Sequence, residues 1–156
     1  PQAQTTAGAA AQEIEYGTLI DFTAGGSAEL LKVSGWSKPE TGFTWAEGNS
    51  ATLAVRVRPT DSPITMRMKA AGLIKEPELP FQPVEVYVNN DKVADLQVGS
   101  TAEYNVAIPQ GFTKAGGLLT VSFRIPKAAS PKSLGQNEDE RVLGIRIFNL
   151  EFGPSV

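Results

Sequence analysis

The sequence predicts an all-β domain, an antiparallel two-sheet β-sandwich of jelly-roll or immunoglobulin-like type. Short runs rich in β-branched and aromatic residues alternate with Gly, Pro, Asn and Asp, which is typical of strands joined by turns. Eleven prolines and fifteen glycines lie mostly between these runs, and no periodic apolar stretch is long enough for a ten-residue helix. We therefore expect at least eight strands in two sheets and less than about 10% helix.

Apolar residues recur with a period of two inside the runs, which gives each strand one apolar face. Leu53, Val55 and Val57 share one such face, and two sheets of this kind must pack face to face. Asn89 and Asn90 separate two runs and suit a tight hairpin, because Asn tolerates positive φ. The predicted strands cover residues 14–22, 29–34, 51–58, 64–70, 84–89, 92–98, 102–108, 118–125 and 142–152.

Length and charge indicate one core and exclude several classes of partner. A chain of 156 residues is the usual size of one domain; we assign residues 1–12 to a flexible N-terminal linker or tail and residues 13–156 to the sandwich. The 14 basic and 17 acidic residues are intermixed, which argues against nucleic acid as a partner. No apolar stretch approaches the roughly 18 residues that cross a bilayer, so we expect no direct membrane insertion.

Cysteine and histidine are both absent, which points away from an enzyme. Thiol nucleophiles, Cys/His zinc sites and imidazole acid–base chemistry all require one of these residues. Carboxylate pairs such as Glu40 with Glu47 remain formally available for glycoside hydrolysis. Because any chain with this many acids offers such pairs, they carry almost no signal.

The segment 35–48, GWSKPETGFTWAEG, holds both tryptophans of the chain, Trp36 and Trp45, together with Glu40. Indole rings stack on the C–H faces of sugars, and nearby carboxylates hydrogen-bond hydroxyl groups, so this mixture suits a saccharide site in a loop. The alternative is structural, since burial is the commoner fate of large aromatic side chains. In that case the tryptophans close the end of the sandwich or pack in its core, and Glu40 caps backbone amides.

The second candidate segment, NEDERVLG at 137–144, places Asp139 and Arg141 two residues apart on a long polar loop predicted at residues 127–141. An Arg fork can hold a carboxylate bidentately, and we expect Arg141 within ion-pair reach of Glu40 or Asp139. The pair is a buried bridge that anchors the loop, a ligand contact, or a solvent-exposed pair with neither role. No cofactor is predicted, although Glu138, Asp139 and Glu140 leave a structural calcium ion open as an alternative.

Several of these motifs occur together in a known kind of module. Asp21-Phe22, GWSKPE at 35–40, GFTW at 42–45, Ser130-Pro131 and DERVLGI at 139–145 resemble the C-terminal, extracytoplasmic β-sandwich module of bacterial envelope glycosyltransferases and phosphoglycerol transferases. The match covers most of residues 20–151. The resemblance implies a periplasmic or secreted accessory module beside a glycan-handling enzyme, without catalysis of its own.

Together these observations predict a non-catalytic module that binds a polysaccharide or oligosaccharide of the cell envelope or the extracellular space. The alternative is a structural or protein-interaction module that docks on a membrane-bound glycosyltransferase or transferase. Binding by shallow stacking and hydrogen bonds, each of about 1 kcal/mol net, would be weak at a single site. The predicted ligand-binding residues are Trp36, Glu40, Trp45, Asp139 and Arg141.

Overall fold

The structure, a computed structural model, describes residues 12–155 as two antiparallel five-stranded sheets. Sheet I has the order β2-β4-β9-β6-β7; sheet II has the order β1-β10-β5-β8, with β3 also paired to β10. Strands make up 51% and helices 6%, which confirms the predicted sandwich. The elements are β1 (Ile20–Asp21), β2 (Lys32–Ser34), β3 (Thr44–Glu47), β4 (Ser50–Val57), β5 (Ile64–Gly72), β6 (Gln82–Val88), β7 (Asp91–Val98), β8 (Ala102–Ile108), α1 (Gln110–Thr113), β9 (Gly117–Arg124) and β10 (Leu143–Pro154), with a 3-10 turn at Ser27–Leu30.

The core lies between the sheets and follows the predicted period of two. Leu53, Val55 and Val57 of β4 are buried, and on β10 the alternate residues Ile145 and Ile147 are fully buried. Burying such side chains stabilises the fold by roughly 1.5–3 kcal/mol each. Because the inward positions are apolar, the intervening positions of the same strands face outward and are free to carry function.

The hairpin between β6 and β7 is confirmed at Asn89-Asn90. Val88 pairs with Asp91, and the two asparagines between them have φ of 49° and 74°, as a two-residue hairpin turn requires. The Asn89 side chain also accepts a hydrogen bond of 2.8 Å from the amide of Thr120. This bond ties the turn to the neighbouring strand β9.

The N-terminal part of the chain differs from the prediction. Residues 14–22 form only the short strand β1, because the chain turns at Tyr16-Gly17, where Gly17 has φ of 87°. Most of the predicted linker 1–12 lies outside the described residues, but the carbonyl of Gln12 accepts a hydrogen bond of 3.0 Å from the amide of Arg56. None of the helices within residues 12–155 is long and apolar enough to span a membrane.

Two further segments bear on the candidate site. The structure places a strand, β3, inside the segment that the sequence predicted to be a loop. Its four residues are too few for an alternation pattern to be recognised. The long loop at 127–141 is confirmed: it contains no strand, and its main attachment to a sheet is an isolated bridge between Ala129 and Leu143.

Candidate functional site

Strand β3 brings the two predicted segments together. It pairs with β10, where Glu47 lies opposite Leu143, and the segment before it folds back so that the amide of Ser37 donates to the carbonyl of Trp45 at 2.9 Å. Because Arg141 precedes β10 by two residues, this double pairing places Arg141 and Ser37 side by side. Arg141 Nη1 donates to Ser37 Oγ at 3.3 Å, and Ser37 Oγ donates to Glu47 Oε1 at 2.5 Å.

Gly35 makes the fold-back possible. Its φ is +83°, and a Cβ added there would lie 2.0 Å from the carbonyl oxygen of Ser50. Only glycine combines this backbone conformation with such a close approach to another strand. The glycine of the GWS motif is therefore a backbone requirement for the position of Trp36.

The predicted Arg141 ion pair is confirmed. Arg141 donates from Nη2 to Asp139 Oδ2 at 2.7 Å and from Nε to Oδ1 at 3.1 Å, while Oδ1 also accepts the backbone amide of Arg141 at 3.0 Å. Glu40 Oε2 lies 3.8 Å from the same Nη2. The side-chain and backbone hydrogen bonds from Arg141 hold the pKa of Asp139 below its usual range, and the bond to Asp139 raises the pKa of Arg141.

Glu40, Asp139 and Arg141 form one charged group, which we call the Arg141 cluster, and it is partly exposed to solvent. The side chains of Arg141, Asp139 and Glu40 are 37%, 28% and 44% exposed. The bridge is therefore only half-buried, and the bond from Arg141 to Ser37 still ties the loop 127–141 to the segment before β3. At this exposure the ion pairs are worth about 0–1 kcal/mol in stability.

Trp36 is held against the core. Its Nε1 donates to the carbonyl of Thr52 at 2.9 Å, and its ring centroid lies 5.6 Å from that of Phe22 and 6.4 Å from that of Phe123. Most contacts of this indole are therefore packing contacts with the core, as the structural alternative in the sequence analysis predicted. Its exposed part borders a shallow depression of about 530 Å³ shared with Glu47 and Arg141.

Trp45 lies on β3, not in a loop as predicted from the sequence, and points away from the core. It sits between the buried residues Thr44 and Ala46, so its side chain is on the outer face of sheet II. Its ring meets that of Phe43 at 6.0 Å in an edge-to-face arrangement, and Phe43 meets Phe148 at 5.6 Å. The result is an aromatic cluster on the sheet surface.

Arg146 and Phe148 complete this cluster, and the sequence analysis missed both. The Cζ atom of Arg146 lies 4.9 Å from the ring centroid of Phe43 and 5.6 Å from that of Trp45. The alternation of side chains along β10 could have revealed them: both residues are next to the buried Ile147 and therefore face outward. We call the combined area of Phe43, Trp45, Arg146 and Phe148, with the adjoining Glu40, Glu47, Asp139 and Arg141, the β3 surface.

The three consecutive carboxylates of the long loop form ion pairs with two cations. Glu138 and Glu140 lie 3.7 and 3.0 Å from the Nζ of Lys132, and Asp139 is held by Arg141. Within residues 12–155 no group of three His, Cys, Asp or Glu side chains is arranged to hold a metal ion. The geometry at Glu138, Asp139 and Glu140 is therefore that of ion pairs.

The fold is the β-sandwich of carbohydrate-binding modules. One similar solved structure is the CBM36-1 domain of a multidomain xylanase from the hindgut metagenome of Trinervitermes trinervoides, with a TM-score of 0.50 and 11% identity over 89% of this chain and 98% of that domain. Another is a CBM36 module in complex with calcium and xylotriose, with a TM-score of 0.51 and 13% identity over 87% and 99%. No family model and no curated protein matches the sequence. At these identities the likeness concerns the fold.

Proposed function

We propose that this chain is a non-catalytic carbohydrate-binding module that acts through the β3 surface. The observation that carries the proposal is the position of Trp45, in an outward-facing aromatic cluster on the same strand as Glu47, which is linked through Ser37 to the open Arg141 cluster. Stacking surface and hydrogen-bonding groups thus adjoin, as sugar recognition requires. The CBM36 fold, one example of which was solved with xylotriose, supports the same function.

In this mechanism the C–H face of a pyranose ring packs on the indole of Trp45. Sugar hydroxyls donate to the carboxylates of Glu40 and Asp139 and accept from the guanidinium of Arg141. Each such bond replaces a bond to water and contributes about 1 kcal/mol net. Binding is therefore weak unless several sugar units are in contact, which favours a polymer over a monosaccharide.

The resemblance to envelope transferase modules supports an extracytoplasmic location, periplasmic or secreted, and a membrane-bound glycosyltransferase or transferase as partner. In this role the chain positions the polymer for that enzyme and performs no bond cleavage itself. The absence of histidine and cysteine is consistent with this division of labour.

The test is a glycan array followed by titration calorimetry with the glycans that bind. Trp45→Ala should weaken binding about tenfold through lost stacking and lost apolar contact, with a change in melting temperature of a few degrees at most. Tyr87→Ala is the matched control, because Tyr87 is a half-buried aromatic residue on sheet I. Unchanged affinity in Trp45→Ala, or an equal loss in Tyr87→Ala, would contradict the proposal.

A second function, protein docking, is favoured by one observation elsewhere. Leu19 and Leu30 are 54% and 67% exposed, and together with Ile14 they line an apolar groove of about 240 Å³. Exposed apolar grooves are typical of interaction sites. If the wild-type chain binds no glycan, the docking function is favoured over carbohydrate binding.

A further inference from the structure

Arg146 is held in an unusual environment on the β3 surface. Three aromatic rings surround its guanidinium, with Cζ 4.9 Å from the centroid of Phe43, 5.6 Å from Trp45 and 5.7 Å from Phe148. Its Nε is buried without a hydrogen-bond partner. The rings contact the guanidinium by cation–π interaction, which uses its charge but leaves its hydrogen-bond donors without an anionic acceptor among the described residues.

A second cation, Lys69 of β5, lies beside the same cluster. Its Nζ is 5.4 Å from the ring centroid of Phe148, so Phe148 contacts both positive charges. In the pairing of β5 with β10, Lys69 is opposite Asn149, and Asn149 follows Phe148 directly in the chain. The two cations thus flank a single ring on one sheet face.

Neither cation forms an ion pair with the part of the chain that the structure describes. Within residues 12–155 no carboxylate lies within the 4.0 Å ion-pair distance of Arg146 or Lys69. Glu103 is directly opposite Lys69 on β8 without forming an ion pair, and Glu151 is engaged by Arg67 at 3.6 Å. Elsewhere Lys92, Lys132 and Arg141 each have an acidic partner, whereas Lys38 and Lys127 also have none within the ion-pair distance among the described residues. The aromatic surroundings, rather than the missing ion pair alone, therefore distinguish Arg146 and Lys69.

Arg146 and Lys69 flank the ring of Phe148 on one sheet face, and neither forms an ion pair within residues 12–155. A neutral sugar would leave both charges without a counter-charge. An anionic substituent would supply the missing acceptor, because a guanidinium binds carboxylate and phosphate oxygens in a bidentate manner. Trp45 is in the same ring cluster, so one ligand can stack on the indole and place its anionic group at Arg146.

We infer that the β3 surface recognises an anionic saccharide, one whose sugar units carry carboxylate or phosphate groups. This inference rests on the proposed carbohydrate-binding function and specifies its substrate class. The anionic group lies between Arg146 and Lys69, and the sugar ring lies against Trp45. The Arg141 cluster then contacts the hydroxyls of a neighbouring unit.

The experiment compares polymers that differ only in charge, with the complete chain. Polygalacturonate is paired with its methyl ester, and phosphomannan with unphosphorylated mannan, by affinity electrophoresis and calorimetry. We expect at least one of the two anionic polymers to bind at least tenfold more tightly than its neutral counterpart. Preference for polygalacturonate would indicate a carboxylate ligand, and preference for phosphomannan would indicate a phosphate ligand. This preference should decrease as salt increases, since charge contacts are screened.

Variants assign the effect to the two cations. Lys69→Gln removes an exposed charge and should weaken binding of the anionic polymer about threefold to fivefold, with neutral binding unchanged. Lys92→Gln makes the same charge change on sheet I and should have no effect. Arg146→Gln should reduce the affinity for the anionic polymer further than Lys69→Gln does, and Arg146→Lys should lose less affinity than Arg146→Gln. If Arg146→Gln fails to fold, Lys69→Gln still tests the inference.

The outcomes separate this inference from the proposed function. Equal binding of charged and neutral polymers, or equal losses in Lys69→Gln and Lys92→Gln, would overturn the anionic preference while leaving carbohydrate binding intact. Competition by polyglutamate as strong as that by polygalacturonate would overturn saccharide recognition in favour of an acidic peptide. Failure to bind any glycan, charged or neutral, would overturn both proposals.

Discussion

Trp36 and Trp45 belong to the same short segment, yet they have opposite surroundings. The indole of Trp36 packs against Phe22 and Phe123, with its N–H bonded to a backbone carbonyl. The indole of Trp45 lies on the outer face of sheet II beside Phe43 and Arg146. The comparison shows that residue type alone does not separate a tryptophan packed against the core from one on the outer face of a sheet.

The difference arises from backbone direction. Gly35 lets the chain approach β4 closely enough for Trp36 to reach the core, whereas Trp45 alternates with the inward residues Thr44 and Ala46 on a regular strand. A strand position fixes the side that a residue faces, because side chains alternate. Trp36 should therefore affect stability, and Trp45 should affect binding.

The largest expected effect is that of Trp36→Ala. Loss of the packed indole and of its hydrogen bond to Thr52 should lower the free energy of unfolding by about 3 kcal/mol, as for other large-to-small changes at packed sites. Trp45→Ala should cost about 1 kcal/mol or less. The measurement is urea denaturation followed by circular dichroism for both variants.

Trp36→Phe serves as the control for Trp36→Ala, because it keeps an aromatic ring near Phe22 and Phe123 and loses only part of the packing. Its cost should fall between those of wild type and Trp36→Ala. Equal destabilisation by Trp36→Ala and Trp45→Ala would show that the assignment of one tryptophan to the core and the other to the surface is mistaken.

The next effect in size concerns Arg141, which links the two tryptophan environments. Because its side chain is 37% exposed, Arg141→Ala should change the free energy of unfolding by about 0–1 kcal/mol, while weakening glycan binding several-fold. Denaturation and calorimetry on the same sample measure both quantities. A loss of about 3 kcal/mol would show instead that Arg141 anchors the loop 127–141.

The sequence predicted more of the fold than of the site. Alternation of apolar residues on β4, β5 and β6 predicts two packed sheets, since that pattern is the physical cause of sheet packing. Asn89-Asn90 likewise predicts the hairpin, because few other residues accept positive φ twice. These features depend on local chemistry, which a sequence displays directly.

The site depends on which strands become neighbours, and that information is not local. Asp139 and Arg141 are close in sequence, and an ion pair of Arg141 with either Asp139 or Glu40 was predicted. Arg146 and Phe148 were missed, because their role comes from the pairing of β10 with β3, a strand too short to recognise. Without β3, nothing indicates that Phe43 and Phe148 share one surface.

The smallest expected effect is a pH dependence of stability caused by Asp139. Hydrogen bonds from Arg141 hold its pKa in the folded protein below the ordinary value of 3.8. The contribution of this carboxylate is therefore fully present above that value and is lost as the pH falls through the lower folded pKa. The free energy of unfolding should decrease below about pH 4, and Asp139→Asn should reduce the slope.

The reduction should be partial, because Asp21 also has a lowered pKa, owing to a hydrogen bond from the backbone of Thr23. Asp21→Asn, far from the Arg141 cluster in sequence, is the comparison variant, and the double variant should show the shallowest slope. Urea denaturation at closely spaced pH values between neutrality and the acid limit of folding measures each slope. If Asp139→Asn left the slope of the unfolding free energy against pH unchanged, Arg141 would bind the protonated and the ionised carboxyl of Asp139 equally well. The Arg141 cluster would then be too mobile in solution to hold the hydroxyls of a ligand in a defined orientation.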